Sequence, residues 1–168
     1  MADSYFPRRV TPSLPPDTPW MTPALLGHLD ALLSSYGRLL RRELILPGHL
    51  TDRGMALWKS ATVVLSHGVG PDPTFVYGNL AALDLFAASW AELTSMKSRE
   101  SAEAASQPER ERLLREVTAN GYINNYAGVR RALSGRRFRI EGVTVWEVTD
   151  TTGRRLGQAA AFDRWTFL

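Results

Sequence analysis

Among the side chains that could carry chemistry, the usual nucleophiles and metal ligands fall away first. The 168-residue chain has no cysteine, which removes a thiolate nucleophile, Cys-ligated zinc, an iron–sulfur cluster and any disulfide framework. Its three histidines are His28, His49 and His67; they are far apart, and no HExxH or paired-His pattern marks a metal site. Serine and threonine are plentiful, but no GxSxG or similar motif sets one beside a base. The stretch Gly68-Val69-Gly70-Pro71-Asp72 lacks the Lys and Ser/Thr of a phosphate loop, so it reads as a strand-to-strand connection. Glu103 and Glu141 read as capping and hairpin ion-pair partners rather than general acids or bases. The group Arg130, Arg131, Arg136, Arg137 and Arg139, with Arg154 and Arg155, could meet phosphate or an acidic partner. On two adjacent hairpins it reads instead as a solvated sheet edge that discourages aggregation. Binding, not catalysis, is the chemistry expected of this chain.

Composition sets the outer bounds. An apolar fraction of 44% with five Trp is that of a folded domain with a real core. No apolar run approaches the roughly 18 residues of a membrane span. The N-terminal stretch lacks the apolar region of a secretory signal, which predicts a cytoplasmic chain. A net charge of +3 is small and spread out, which argues against capture of nucleic acid through several phosphates.

The elements that must position any site follow from the patterning. Residues 1–20 carry five of the ten prolines and no hydrophobic period, so they read as an extended, partly disordered arm. Thr22 and Pro23 open a helix, in which Leu25, Leu26, Leu29, Leu32, Leu33, Tyr36, Leu39 and Leu40 form one apolar face. It is expected to run to Leu44–Pro47, so residues 21–47 form a unit for packing or dimerisation ahead of a domain at 48–168. In that domain Asp52–Trp58 forms one or two helical turns, Ala61–Ser66 is a buried strand, and Phe75–Tyr77 is a short one. Helices follow at Asn79–Ala87 and after Ser89. Ser106-Gln107-Pro108-Glu109 reads as a capping box, opening a helix that Asn120-Gly121 closes. From Tyr122 the pattern is antiparallel sheet: strands at Tyr122–Ala132, Arg137–Thr149 and Leu156–Phe167, with turns at Ser134-Gly135 and Asp150–Gly153. In the second of these, Phe138, Ile140, Thr144, Trp146 and Val148 are expected on one face.

This order resembles that of a PAS domain. FVYGNLAALDLFAASWAEL (75–93) resembles the PAS strand, asparagine and capped helix, and SGRRFRIEGVTVWEVTDTTGRRLGQAAAF (134–162) resembles the closing hairpin. More closely, the chain is similar to the bacterial stand-alone MEKHLA domain. The matching segments are Phe75-x-Tyr77-x-Asn79, Ser98-Arg99-x-Ser101-Ala102-Glu103, Gly121-Tyr122-Ile123 and Tyr126-x-Gly128-Val129-Arg130. Gly135-Arg136-Arg137-Phe138-x-Ile140-Glu141, Val145-Trp146 and Gly157-Gln158-Ala159-Ala160 complete the likeness, which covers roughly residues 23–168. The family's eponymous hexapeptide and the homeodomain of its plant relatives are absent, so no DNA-binding role carries over.

The resemblance implies an α+β fold: a PAS-like five-stranded antiparallel sheet with helices on one face, preceded here by the amphipathic helix. It also implies frequent pairing of chains and a small interior pocket. A flavin of the LOV type is not expected, because the cysteine is missing and Ala161 falls about where the flavin-binding amide would stand. Haem is not expected, because none of the three histidines lies on the helix Gln107–Asn120. On the PAS pattern Tyr77, Trp90, Tyr126, Trp146 and Phe162 face the concave side of the sheet, as core or as the walls of a ligand pocket. The polar points of such a pocket are Tyr77, Asn79, Tyr126, Thr144 and Gln158. Three functions stand open: a sensory or small-ligand-binding module acting through a homodimer of the N-terminal helix, a protein-interaction domain with a filled core, and a small-molecule enzyme using the concave face.

Overall fold

Helix α1 (Pro23–Leu40) begins where the pattern places it: Thr22 stays extended and its hydroxyl accepts the Leu25 N–H at 3.3 Å. It ends at Leu40, earlier than expected. Arg41 turns left-handed, Arg42 folds back to donate to the Tyr36 hydroxyl at 3.0 Å, and Glu43 pairs with Arg53 at 3.5 Å. The chain then forms α2 (Leu50–Lys59), β1 (Val63–His67), β2 (Phe75–Gly78), α3 (Leu80–Phe86), α4 (Trp90–Ser95), a 3-10 turn (Ser98–Ser101) and α5 (Gln107–Asn120). The strands β3 (Tyr122–Arg131), β4 (Arg137–Thr149), β5 (Arg155–Phe162) and β6 (Arg164–Phe167) close it. The computed structural model describes residues 18–103 and 106–168.

The antiparallel sheet runs β2-β1-β5-β4-β3, and β6 pairs with β4. These are the five expected strand positions, since β6 continues β5 past Asp163: Thr144↔Ala161 and Glu141↔Arg164 stay in step across the break. One expectation about β4 fails. Phe138 and Ile140 share a core with Val143 and Val145, while Trp146 and Val148 belong to the core on the other side. The phase slips at Gly142, whose φ of +63° is left-handed and disfavoured for residues with a Cβ. β5–β6 slips with it, for Phe162 and Trp165 pack on one face although their numbers differ in parity.

Two layers cover the sheet. The concave face is packed by α3, α4 and α5 through Leu85, Phe86, Leu93, Met96, Leu113 and Val117. The opposite face is covered by α1 and α2. There Leu29, Leu32, Leu33, Leu57 and Trp58 are buried with Val64, Trp146 and Val148. Helices therefore lie on both faces, and α1 spends its apolar stripe on its own sheet. Within the residues expected to form a loose arm, Trp20 is fully buried; residues 1–17 of that arm lie outside the described residues. A Cβ at Gly54 would stand 2.6 Å from the Trp20 ring. Helix α2 therefore tolerates a mid-helix glycine, at about 1 kcal/mol of propensity, to seat the indole.

The expected capping box at Ser106 does not form, because Ser106 is itself in the helical region and its side chain caps nothing. Gln107 turns back instead, donating to the Arg99 and Ala102 carbonyls at 2.7 and 2.8 Å. Ser89 and Glu92 make a complete box at the start of α4.

Candidate functional site

Between the concave face and the helices lies a cavity of about 80 Å³. Its apolar wall comes from Leu65, Phe75, Phe86, Leu113, Val143 and Phe162. Its polar lining is contributed by β1, the 3-10 turn, α5, β3 and β5: His67, Ser98, Ser101, Arg110, Tyr126, Arg130 and Gln158.

The orientation of these groups is fixed by their neighbours. Gln158 Nε2 donates to Glu147 Oε1 at 2.6 Å, Thr118 Oγ1 at 3.1 Å and the Leu114 carbonyl at 3.2 Å. The Glu147 carboxylate and the Leu114 carbonyl only accept, so the NH2 end of the amide faces them and Gln158 Oε1 is left buried with no partner. Glu147 is held in turn by Arg155 at 2.6 Å. His67 Nδ1 lies 2.8 Å from the Gly68 carbonyl. A carbonyl only accepts, so Nδ1 carries the proton and Nε2 presents a lone pair, also buried and unpartnered. Burial holds His67 below the ordinary imidazole pKa; the Arg110 and Arg155 charges act the same way, and the Gly68 carbonyl and Glu147 oppose them.

The two arginines are the unusual members. Each is only 9% exposed. Arg110 donates to Ser98 Oγ; Arg130 donates to the Val129 carbonyl at 2.9 Å and the Tyr126 hydroxyl at 3.4 Å, and lies over the Tyr126 ring. Among the described residues neither makes an ion pair. Burial, then the Arg130 charge, lower the pKa of Arg110. A groove of about 480 Å³ adjoins the cavity and shares His67, Arg110, Leu114 and Gln158 with it. Those four residues stand between the cavity and the outside.

Of the residues expected to form a site, Tyr126, Gln158 and Phe162 line this cavity. The others lie elsewhere, and the phase slip in β4 accounts for Trp146 and Thr144. Trp146 faces α1, donating from Nε1 to the Leu32 carbonyl at 3.2 Å with the Tyr36 ring edge-on at 4.9 Å. Tyr77 and Trp90 pack with Trp58 on that same side. Thr144 borders a shallow groove with Tyr36 and Glu43. Asn79 is wholly structural: Oδ1 accepts from Val64 and Ala82 N–H, and Nδ2 donates to the Leu57, Ser60 and Thr62 carbonyls. It caps α3 while tying β1 to the end of α2.

Sequence reasoning missed His67, Ser98, Arg110 and Arg130. A signal existed for Arg110, which sits three residues before Leu113 and seven before Val117, on the stripe α5 turns inward. Arg130 was assigned to the solvated edge. It is instead buried, while Arg131, Arg136, Arg137, Arg139, Arg154 and Arg155 are exposed. Glu103 pairs with Arg137 at 2.6 Å and Glu141 with Arg139 at 3.6 Å. One His–Ser contact also went unseen, His28 Nε2 to Ser66 Oγ at 2.8 Å. Ser66 is 1% exposed, and although the residue borders the cavity its hydroxyl is taken by α1.

The cavity does not suit a flavin or a haem. About 80 Å³ is well short of the roughly 300 Å³ at which sites for larger ligands begin. The thiol for a flavin adduct is absent, and Ala161 packs on the α1 side. Among the described residues no cluster of three His, Asp or Glu could hold a metal ion, and no helix is long and apolar enough to cross a membrane.

The fold is shared with solved PAS and LOV domains. A PAS domain of a protein from Colwellia psychrerythraea superposes with a TM-score of 0.59 at 10% identity, covering 71% of this chain and 96% of that one. A PAS domain from a two-component sensor histidine kinase gives 0.53 at 17% identity, covering 68% and 91%. A fungal LOV domain photoreceptor gives 0.53 at 15% identity, covering 82% and 91%. No curated protein matches the sequence. The MEKHLA domain profile, in contrast, matches residues 26–167, nearly the whole of the described chain, and the chain belongs to the MEKHLA domain family.

Proposed function

We propose that this chain is a sensory or regulatory module that takes a small ligand in its concave cavity. The observation that carries the reading is the pair of buried acceptors, His67 Nε2 and Gln158 Oε1, left without partners beside a cavity that opens towards a groove. Buried polar atoms are nearly always satisfied in native proteins, and a ligand held here would satisfy them. The likeness to PAS and LOV domains fits a module that reports occupancy rather than one that turns over substrate. The enzyme reading loses ground because the Ser66 hydroxyl is turned to His28 on α1, which does not line the cavity.

The reading does not need a second copy. Of the eight-residue stripe expected to seal a dimer, Leu29, Leu32, Leu33 and Tyr36 are buried against the chain's own sheet, and Leu25, Leu26, Leu39 and Leu40 are half-buried.

The test is a screen of small metabolites by thermal shift and native mass spectrometry, on the wild type and on Val143→Phe. Saturation at 100 times Kd should stabilise the wild type by about 2.7 kcal/mol. Val143 is 1% exposed and lines the cavity, so the phenyl ring should fill it and abolish the shift. The filled-core alternative makes the opposite forecast: no ligand, and an overpacking cost of about 1–3 kcal/mol for Val143→Phe.

A further inference from the structure

The geometry points to a short-chain carboxylate that also carries an O–H or N–H donor, a small hydroxy acid or amino acid, as the ligand of this cavity. The inference rests on the reading of the cavity as a ligand site and deepens it. It starts from charge. Two guanidinium groups, Arg110 and Arg130, line one small space at 9% exposure each, and no carboxylate among the described residues pairs with either. Of the nearby carboxylates, Asp72 is held by Arg99 at 2.8 Å and Glu147 by Arg155 at 2.6 Å, while Glu111 acts on Arg110 from the groove side without forming an ion pair with it. A buried cation without a counter-ion is costly, and a planar anion can take two parallel N–H bonds from a guanidinium fork.

The remaining polar atoms narrow the class. His67 Nε2 and Gln158 Oε1 are acceptors, so they need a hydrogen-bond donor, which an acetate-like anion lacks. The apolar wall of Phe75, Val143 and Phe162 leaves room for a short hydrocarbon portion and argues against inorganic phosphate. A cavity of about 80 Å³ limits the molecule to a few non-hydrogen atoms. The outer groove carries Arg99, Arg115 and Arg155 against Asp72 and Glu111, a net positive lining that favours the approach of anions.

The experiment is calorimetric titration of the full chain with L-lactate, glycolate, glycine and L-alanine, against propionate, lactamide and inorganic phosphate. The expected result is saturable binding of at least one donor-bearing carboxylate. Propionate should bind about tenfold more weakly, and lactamide and phosphate not measurably, in line with the strength of charge-assisted bonds. Arg110→Met and Arg130→Met should each lose about tenfold or more in affinity. Lactamide binding like lactate, phosphate binding best, or Arg110→Met keeping wild-type affinity overturns the carboxylate class and leaves the ligand cavity standing. If no compound in the titration binds, the carboxylate class is overturned; if the wider metabolite screen is also empty, the ligand reading falls with it. Should a variant fail to fold, the contrast of lactate with lactamide on the wild type still decides.

Discussion

The two faces of the sheet are built from the same strands yet obey different rules. On the α1 face large rings and leucines are fully buried, and the polar groups are mostly spent: Trp146 on Leu32, His28 on Ser66, Asn79 on five backbone groups. The exceptions are the Tyr77 hydroxyl and the Trp20 indole N–H, unpartnered within an aromatic cluster, and Arg53 Nε on α2. On the concave face a cavity persists, where two cations without ion-pair partners meet two acceptors without hydrogen-bond partners. Close packing and satisfied polar groups give stability, whereas unmet polar groups in a cavity cost stability and suit a ligand. Both faces carry a hydrophobic core, and the concave one also holds a polar-lined cavity.

The sharpest way to break this contrast is to charge the α1 face. Leu29 and Leu33 are buried at 0% and 1%, so Leu29→Glu with Leu33→Glu places two carboxylates against the sheet. Each carries a penalty of several kcal/mol, together comparable with the roughly 5–15 kcal/mol that holds a domain folded. Circular dichroism should show an unfolded or aggregated chain. A well-folded monomer would mean that α1 seals a dimer instead. Trp146→Ala comes next. It removes a fully buried indole and its bond to Leu32, and urea denaturation should register a loss of about 3–5 kcal/mol. Ligand affinity at the concave cavity should stay unchanged; a joint loss of both would show that the two faces are coupled.

How much of this was legible beforehand follows the same division. Local signals placed most elements: Thr22 and Ser89 as caps, Asn120-Gly121 as a stop, and the alternation of the closing hairpin. Helix α1 was found, but packing on its own sheet and pairing with a second copy stayed open, because an apolar stripe states that something covers it and not what. Trp146 was put on the wrong face because period-two counting runs straight through Gly142, and a left-handed residue that resets the phase leaves no mark in a pattern of apolar positions. The site was half legible. Gln158 and Tyr126 came from the resemblance, while Arg130 was lost among exposed neighbours because charge run alone cannot separate one inward residue from six outward ones. Their meeting with His67 is a tertiary fact, joining β1, α5 and β3 across many intervening residues.

Acid should probe the α1 face more gently. Burial lowers the His28 pKa from 6.5 to about 4. Above pH 6.5 the imidazole is neutral in both states and pH has no effect through it. Below that, the unfolded chain takes up a proton that the folded chain refuses, so stability falls between pH 6.5 and about 4 and then levels. The full loss is about 3 kcal/mol. His67, also lowered by burial, adds in the same direction. Urea midpoints across this range should therefore decline less steeply in His28→Gln, which keeps a partner for Ser66. An identical slope in the variant would place the acid sensitivity elsewhere.

The smallest effect expected has the opposite sign, and it separates the two faces most cleanly. Replacing a buried side chain on the α1 face removes contacts that favour folding. Arg110→Met on the concave face removes a buried cation that has no carboxylate partner, keeps most of the hydrocarbon length, and gives up one bond to Ser98. Replacing buried charge by an apolar side chain of similar volume is often neutral or stabilising, and the lost hydrogen bond costs about 1 kcal/mol. The ligand-free variant should thus be within about 1 kcal/mol of the wild type or slightly above it, although its affinity for carboxylates collapses. Such a pairing, stability kept and binding lost, is the behaviour of a residue retained for a ligand rather than for the fold. A destabilisation of several kcal/mol in urea, with no carboxylate able to rescue or shift the wild type, would make Arg110 an ordinary structural arginine and erase the difference between the faces.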